Sequence, residues 1–258
     1  MKFSIIGTGF IFPKHVQAIK SVGGEIVEAI GQGSLLSWQE IIKNKKTDCV
    51  VVLAPNNLHF EIALASAKEG KIVLCEKPVA LSSKEIKELM NYPDIFTIAQ
   101  LRYYPVTKEL KKKISQKENY KINIDISVHR DKNYYKSWKG QKEESGGMLF
   151  NLGVHYFDLL LYLFGPARQI KTNFLTETKG EGTIEGKNYL CQWRISEEEE
   201  KEKQKRVFEI NGVSYDFYSA ENFHTYVYKD LLEKKGITPE EALKPIELIE
   251  KIYEAYKK

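Results

Sequence analysis

Residues 145 to 158 read SGGMLFNLGVHYFD, an apolar stretch that carries three polar groups, Asn151, His155 and Asp158. On a helix, at about 100° per residue, offsets of four and seven return to nearly the same face, so the three line one stripe. Histidine is the side chain that moves protons near neutrality. It is equally a hydrogen-bonded core residue when a carboxylate such as Asp158 lies within reach. Gly146 and Gly147 strip side chains from the start of this helix, which lets a ligand approach the backbone. A second group is Cys75-Glu76-Lys77-Pro78, directly after the strand-like KIVL. A lysine at the carboxyl end of a parallel strand projects into the crevice where open α/β sheets bind ligands. Pro78 fixes the local backbone and raises the chance of a cis peptide bond.

Two further loops sit at strand ends. Gly7-Thr8-Gly9 follows FSII and precedes a helix, the place where glycines bring backbone amides close to a pyrophosphate. A tight turn of any α/β fold explains the same glycines, and the third glycine of the dinucleotide pattern is Phe12, but the strand-turn-helix context favours a dinucleotide. Pro55-Asn56-Asn57-Leu58-His59 follows VVVLA, where Asn57 is either a helix cap or a cofactor contact. His15 reads as an exposed residue of a helix's first turn. The end of the second strand is where a carboxylate for the adenosine ribose is expected, and there EIVEAI runs into Gly31-Gln32-Gly33-Ser34. Only 16 residues lie between Gly31 and Asp48. That is enough for one helix, SWQEIIKNKK, so this half is shortened on its adenine side.

These residues need elements to position them. Over the first hundred residues FSIIG, EIVEAIG, DCVVVLAP, KIVLCEKP and DIFTIAQ alternate with amphipathic segments, the rhythm of a parallel sheet wound with helices. After Tyr104 the rhythm changes. A lysine-rich helix, VTKELKKKISQ, leads to YKINIDISVHR, and later RQIKTNFLTET, NYLCQWRIS, RVFEIN and VSYDFYS follow without intervening helices, as strands of an antiparallel sheet do. The fold class is therefore α/β: a Rossmann-like parallel sheet over 1–102, then an α+β domain over 103–258 with an open-faced antiparallel sheet. The acidic run SEEEEKEKQK reads as a solvated hairpin loop between two strands. From Asn222 two helices are expected, broken at Gly236 and restarted by Thr238 before Pro239.

Composition narrows the function. The net charge is 39 − 35 = +4, spread along the chain, with no basic block interleaved with aromatics, so nucleic acid is not an expected partner. Cys49, Cys75 and Cys191 are far apart and lack ligand spacing, which predicts reduced thiols, no metal and a cytoplasmic protein. The glycine-broken start does not read as a signal peptide. The apolar run Leu159 to Phe164 is too short to span a bilayer, so no membrane association is expected.

GTG with His15 downstream, PNNLH, EKP and GGMLFNLGVHYFD, in that order, resemble the glucose-fructose oxidoreductase, inositol dehydrogenase and MocA family. The strings AQLRYYPVTKELKKKI, DKNYYKSWKG and NFHTYVYKDLL resemble, within it, bacterial dehydrogenases that oxidise C3 of UDP-N-acetylglucosaminuronic acid for lipopolysaccharide sugars. The resemblance implies an enzyme with a Rossmann domain binding NAD, with NADP as the alternative, and a second domain whose sheet forms a dimer or tetramer interface. It implies cofactor contacts from Gly7, Gly9, Phe10, Ile11, Pro55, Asn57, His59, Glu76, Lys77 and Gln100. It makes Lys77 the lysine that holds the reacting hydroxyl and His155 the base. Asn151 stands where family members generally have Asp, and since an amide cannot take up a proton it orients substrate or His155. Asp158 sets the tautomer of His155 or only caps packing. Arg102, with Tyr103 beside it, is expected at the uronate carboxylate, because guanidinium grips carboxylate bidentately. Arg130, Tyr135, Trp138 and Lys139 are expected at the remaining sugar or the diphosphate. Another sugar or cyclitol as substrate, or a family member that binds without turnover, are the alternatives.

Overall fold

A computed structural model describes residues 1–115, 117–217 and 221–257. The chain divides into two compact units. Met1–Gln100 and Ala220–Leu243 form the first; Leu101–Ser219 and Lys244–Lys258 form the second. A boundary at 102/103, read from the sequence, gives everything after it to the second domain, whereas the packing returns Ala220–Leu243 to the first unit.

The first unit alternates β1 (Lys2–Ile6), α1 (Phe12–Ser21), β2 (Glu25–Ile30), α2 (Trp38–Ile42), β3 (Cys49–Val52), α3 (Asn56–Lys68), β4 (Ile72–Cys75), α4 (Ser83–Leu89) and β5 (Ile95–Thr97). All five strands pair in parallel in the order β2-β1-β3-β4-β5. The apolar runs are continuous because both faces of the sheet are covered; Cys49 to Val52 are all buried. The strand order reverses between β1 and β3, which creates the switch point where such sheets bind ligands. Beyond β2 no further strand is added among the described residues, in keeping with the short Gly31–Asp48 connection.

Gly7 occupies the heart of that switch point. Its φ is +112°, and a Cβ on it would lie 2.4 Å from the Leu53 carbonyl oxygen. Left-handed backbone and a backbone collision are both imposed, and neither can be relieved by turning a side chain. Gly7→Ala is therefore expected to destabilise the protein by at least about 2 kcal/mol. The urea midpoint reads it directly, and an unchanged midpoint would contradict this packing.

The second unit contains α5 (Pro105–Lys113), β6 (Tyr120–His129), α6 (Lys132–Lys136), α7 (Lys142–Ser145), a π-helical turn (Leu149–Gly153), α8 (Val154–Phe164), β7 (Ala167–Leu175), β8 (Lys179–Gly186), β9 (Tyr189–Glu198), β10 (Lys205–Ile210) and β11 (Val213–Ser214). The sheet order is β11-β10-β6-β9-β8-β7. It is mixed, not antiparallel throughout, since β6 and β9 pair in parallel over their full length. That pairing also corrects the hairpin expected at SEEEEKEKQK. β9 and β10 flank β6, so the segment crosses over it, and Ser196, Glu197 and Glu198 belong to β9 and are buried.

One face of this sheet is packed and the other open. Along β9, Tyr189, Cys191, Trp193 and Ile195 are buried while Leu190, Gln192 and Arg194 are exposed. Phe157 of α8 meets Trp193 edge-on at 5.6 Å. β8, KGEGTIEG, lay outside the strands read from the sequence because glycine weakens a strand. Its inward glycines are sockets: a Cβ at Gly180 or Gly182 would crowd Trp193, and one at Gly186 would overlap Tyr189. The helical stretch Lys142–Phe164 is 23 residues, long and apolar enough by composition to cross a bilayer, and 72% of its apolar window is buried. Counting only Leu159 to Phe164 understates its length, because the π turn runs into α8, while α7 stops at Gly146 with φ +79°.

The chain closes with α9 (His224–Leu232) and α10 (Pro239–Tyr256), separated where the sequence places the break. Thr238 and Glu241 cap α10 reciprocally through each other's backbone amides. α9 packs on α1, and Tyr228 meets Phe3 edge-on at 5.6 Å.

Candidate active site, unit by unit

In the first unit the loops after β1, β3 and β4 carry the candidate residues. α1 and α3 begin without a side-chain cap. In α1 the Phe12 and Lys14 amides bond the Gly9 and Ile11 carbonyls and Pro13 has no N–H, so it is the helix dipole that favours an anion at these starts. Gly9 has nothing within 4 Å of a built Cβ, so the protein's own packing does not demand a glycine, whereas close approach of a ligand would. Phe10 is 83% exposed and Ile11 is the N-cap of α1. These residues suit the pyrophosphate of a dinucleotide. At the adenine side a Cβ on Gly31 would lie 1.9 Å from Thr8 Oγ1, so Thr8 fills the space of the expected acid.

The loop after β3 differs from its reading. The cap of α3 is Pro55, Asn56 is buried, and Asn57 is an exposed residue inside the first turn, so Asn57 is not the helix cap. His59, expected at the cofactor, is 1% exposed. Its Nδ1 faces the Pro78 carbonyl at 2.7 Å and its Nε2 the Ala54 carbonyl at 2.8 Å, which gives it a structural place between the two loops.

After β4 the Lys77–Pro78 bond is cis. Glu76 does not stand alone: His15 Nε2 lies 3.1 Å and His224 Nε2 3.4 Å from its Oε1, while its Oε2 accepts the Lys77 amide at 3.1 Å. His15, read as exposed, is fully buried, with Tyr228 Oη 2.8 Å from its Nδ1. Its exposure was misjudged because α9, 213 residues away in sequence, covers it. Gln100 Nε2 lies 2.8 Å from His224 Nε2. The ligand-capable atoms of His15, Glu76 and His224 all lie within 4.8 Å of one another, close enough to hold a metal ion.

Burial pushes the Glu76 carboxyl pKa up, but hydrogen bonds and charge from His15 and His224 draw it further, to well below 4.5. Burial lowers the pKa of His15 and of His59 below 6.5. The signs agree. In each case the unfolded chain binds the proton more readily, so these groups contribute stability above their unfolded pKa values and lose it on acidification. Stability is expected to decline from about pH 6.5 as the histidines charge and to fall faster below about 4.5 as Glu76 protonates. Urea midpoints across this range test it, and a flat profile down to pH 4 would contradict it.

In the second unit the stripe of Asn151, His155 and Asp158 is built by two kinds of helix. A π turn covers Leu149–Gly153 and α-helix begins at Val154. π turns recur at functional sites because the extra residue re-aims side chains. Asn151 and His155 are half-buried amid buried neighbours, and Asp158 is 5% exposed. Gly147, with φ +86°, lines a cavity of about 320 Å³ together with Tyr135, Lys139, Glu197 and Tyr253.

Asp158 and Arg102 turn out to be partners. Arg102 Nε and Nη2 donate to the two carboxylate oxygens at 2.9 and 2.6 Å, and the guanidinium lies 4.8 Å from the Tyr162 ring centre. The edge expected to grip a uronate carboxylate grips Asp158 instead. Tyr103 is buried beside it.

Of the other expected residues, Arg130 and Tyr135 gather around Glu197 and Lys139 lines the same cavity; the sequence reading missed Glu197 as part of an acidic run. Tyr134 and Tyr135 donate their hydroxyls to it at 3.0 and 3.3 Å, and Arg130 Nε lies 3.7 Å away. Burial raises the Glu197 pKa against these partners, and burial with the Glu197 charge pushes Tyr135 up to about 12. Asn151 Nδ2 donates to the Lys139 carbonyl at 3.0 Å and approaches Tyr134 Oη at 3.5 Å. Lys139 Nζ lies 5.8 Å from the Trp138 ring centre. The available signal for Glu197 was the every-second-residue run Tyr189, Cys191, Trp193 and Ile195, which puts position 197 on the same inward face.

Comparison with known proteins adds the following. Residues 23–93 match the NAD-binding Rossmann domain of the Gfo/Idh/MocA oxidoreductases, and residues 111–189 match that family's C-terminal α/β domain. The WlbA (WbpB) dehydrogenase of Thermus thermophilus, solved with NAD and α-ketoglutarate, is 26% identical with a TM-score of 0.87, over 95% of this chain and 92% of that one. The same enzyme with NAD and UDP-GlcNAcA gives 26% identity and 0.84, over 96% and 92%. A Streptococcus pneumoniae protein described as an uncharacterized oxidoreductase is 27% identical over 73% of this chain and 56% of its own length. The scyllo-inositol 2-dehydrogenase (NADP(+)) IolU of Bacillus subtilis is 26% identical over 71% and 65%. The chain spans about half the length of the curated relatives it matches.

Proposed function

As the chain belongs to the Gfo/Idh/MocA oxidoreductase family, we propose that it is a dehydrogenase that oxidises a secondary alcohol of a nucleotide sugar, C3 of UDP-N-acetylglucosaminuronic acid, with NAD. The observation that carries this reading is the likeness, over nearly the whole chain, to an enzyme solved with NAD and UDP-GlcNAcA.

Gly7, Gly9 and the uncapped starts of α1 and α3 would hold the dinucleotide, with Pro55, Asn57 and Gln100 as further contacts. When bound, NAD supplies an acceptor for the hydride that leaves C3. The chain's own residues do the rest. As hydride departs, the hydroxyl becomes acidic and a base must take its proton, the role of His155. The Lys77 ammonium stabilises negative charge on the same oxygen. Asn151 orients, since an amide accepts no proton. Arg130, Tyr135, Trp138 and Lys139 face the sugar or its diphosphate. The segment Gly31 to Ser34 offers no cation for an extra phosphate, which favours NAD over NADP. A dimer or tetramer through the open sheet face belongs to the same proposal, and light scattering reads it.

The likeness to IolU supports a second reading, a cyclitol or free sugar as substrate. Purified protein with NAD and, in turn, UDP-GlcNAcA and scyllo-inositol separates the two. Turnover of the nucleotide sugar alone is expected; turnover of scyllo-inositol alone would move the assignment.

A further inference from the structure

The cluster of His15, Glu76 and His224 has no part in the proposed chemistry, yet it lies directly behind Lys77. On His15 the hydrogen bonds fit one set of protons. Tyr228 Oη donates to His15 Nδ1, and His15 Nε2 donates to Glu76 Oε1, so each ring nitrogen has one use and the tautomer is fixed. On the other histidine, Nδ1 faces Asn222 Oδ1 at 2.9 Å, and Nε2 stands between Gln100 Nε2 at 2.8 Å and Glu76 Oε1 at 3.4 Å.

The outcome falls on the two peptide units that flank Lys77. The Lys77 amide is bonded to Glu76 Oε2 at 3.1 Å, and the Pro78 carbonyl faces His59 Nδ1 at 2.7 Å. The Glu76 amide is itself bonded to the Val52 carbonyl at 2.9 Å. Apolar side chains would hold α1 on the sheet without the desolvation cost of a buried carboxylate. A polar cluster aimed at the peptide units of one lysine has a geometric use.

We infer that Glu76, His15 and His59 are positioning residues for Lys77, clamping the backbone on both sides of it, and that Tyr228, His224 and Asn222 of the returning segment brace the clamp. The inference rests on the proposed role of Lys77. It also gives Ala220–Leu243 a reason to pack with the first unit: the brace reaches the lysine from there. The Lys77 side chain has four rotatable bonds, so any slack in its backbone is amplified at the ammonium, and displacement of a reacting group by about 1 Å can lower a rate about 100-fold.

The test uses the full-length protein and two readouts. Hydrogen exchange of the peptide covering 74–79 reports the clamp without substrate, because Pro78 has no amide and Lys77 supplies the exchanging one beside it. Steady-state kinetics with UDP-GlcNAcA report the chemistry. His15→Ala is expected to speed Lys77 amide exchange about tenfold and lower kcat about 30-fold, with KM and the NAD dissociation constant within about threefold. His15→Gln, whose amide can still donate to Glu76, should restore both to within about fivefold. If His15→Ala does not fold, Tyr228→Phe, which removes one hydroxyl, should shift both readouts in the same direction. Unchanged exchange overturns the clamp, and faster exchange with unchanged kcat overturns its role in positioning. A stoichiometric transition metal in the purified protein, whose removal loosens the same peptide, would replace the hydrogen-bond scheme. A wild type that binds NAD but turns over nothing sinks the proposed function, while the exchange ratio still decides the clamp.

Discussion

His155→Ala is expected to lower turnover of UDP-N-acetylglucosaminuronate by a factor of about 10²–10⁴, the usual contribution of a positioned general base. Alcohol oxidation releases a proton as the hydride leaves, and among the residues the account places at the substrate Asn151 cannot accept it while Lys77 is cationic. His155 is half-buried on a helix whose other residues, Tyr162 apart, are buried. Lys77→Ala removes the cation that stabilises the developing oxyanion, with an expected loss of about 10²–10³. In the proposed mechanism the two groups serve the same proton loss, and on that proposal the double variant should lose far less than the product of the single losses. The NAD dissociation constant should stay within about threefold in His155→Ala, since that change does not alter the helix starts proposed to hold its pyrophosphate. A single variant with wild-type kcat would remove that residue from the mechanism.

The second large effect concerns stability. Arg102 and Asp158 form a bidentate pair whose side chains are 10% and 7% exposed. Asp158→Ala leaves a buried guanidinium without its carboxylate, and the expected cost is about 3–5 kcal/mol. Arg102→Met with Asp158→Leu removes both charges together and should recover most of that loss. Urea denaturation of the two single variants and the double variant closes the cycle. If Asp158→Ala kept wild-type stability while kcat collapsed, Asp158 would belong to His155 rather than to Arg102.

The legible parts of the fold are those that depend on local pattern. Five apolar runs became five parallel strands, with β1, β3 and β4 buried on both faces and β2 at the edge half-buried, and GTG, EKP and PNNLH fell at strand ends. The illegible parts depend on distant partners. Nothing near His15 announces α9 above it, and nothing near Arg102 announces Asp158, 56 residues on. The parallel pairing of β6 with β9 is a topological fact that strand runs alone do not encode. Composition misled twice. The glycines of β8 suppressed a strand whose empty positions receive Trp193 and Tyr189, and the acidic run concealed Glu197 and Glu198 as buried strand residues. The π turn was hidden because its sequence is as compatible with α-helix.

The most direct test mixes the purified protein with UDP-N-acetylglucosaminuronate and NAD and follows reduced nicotinamide by absorbance, beside Lys77→Ala and His155→Ala. The account predicts a rise in wild type that both variants lose while still binding NAD. No rise in wild type, with NAD and the sugar both bound by calorimetry, would contradict it and leave a binding protein on an oxidoreductase fold.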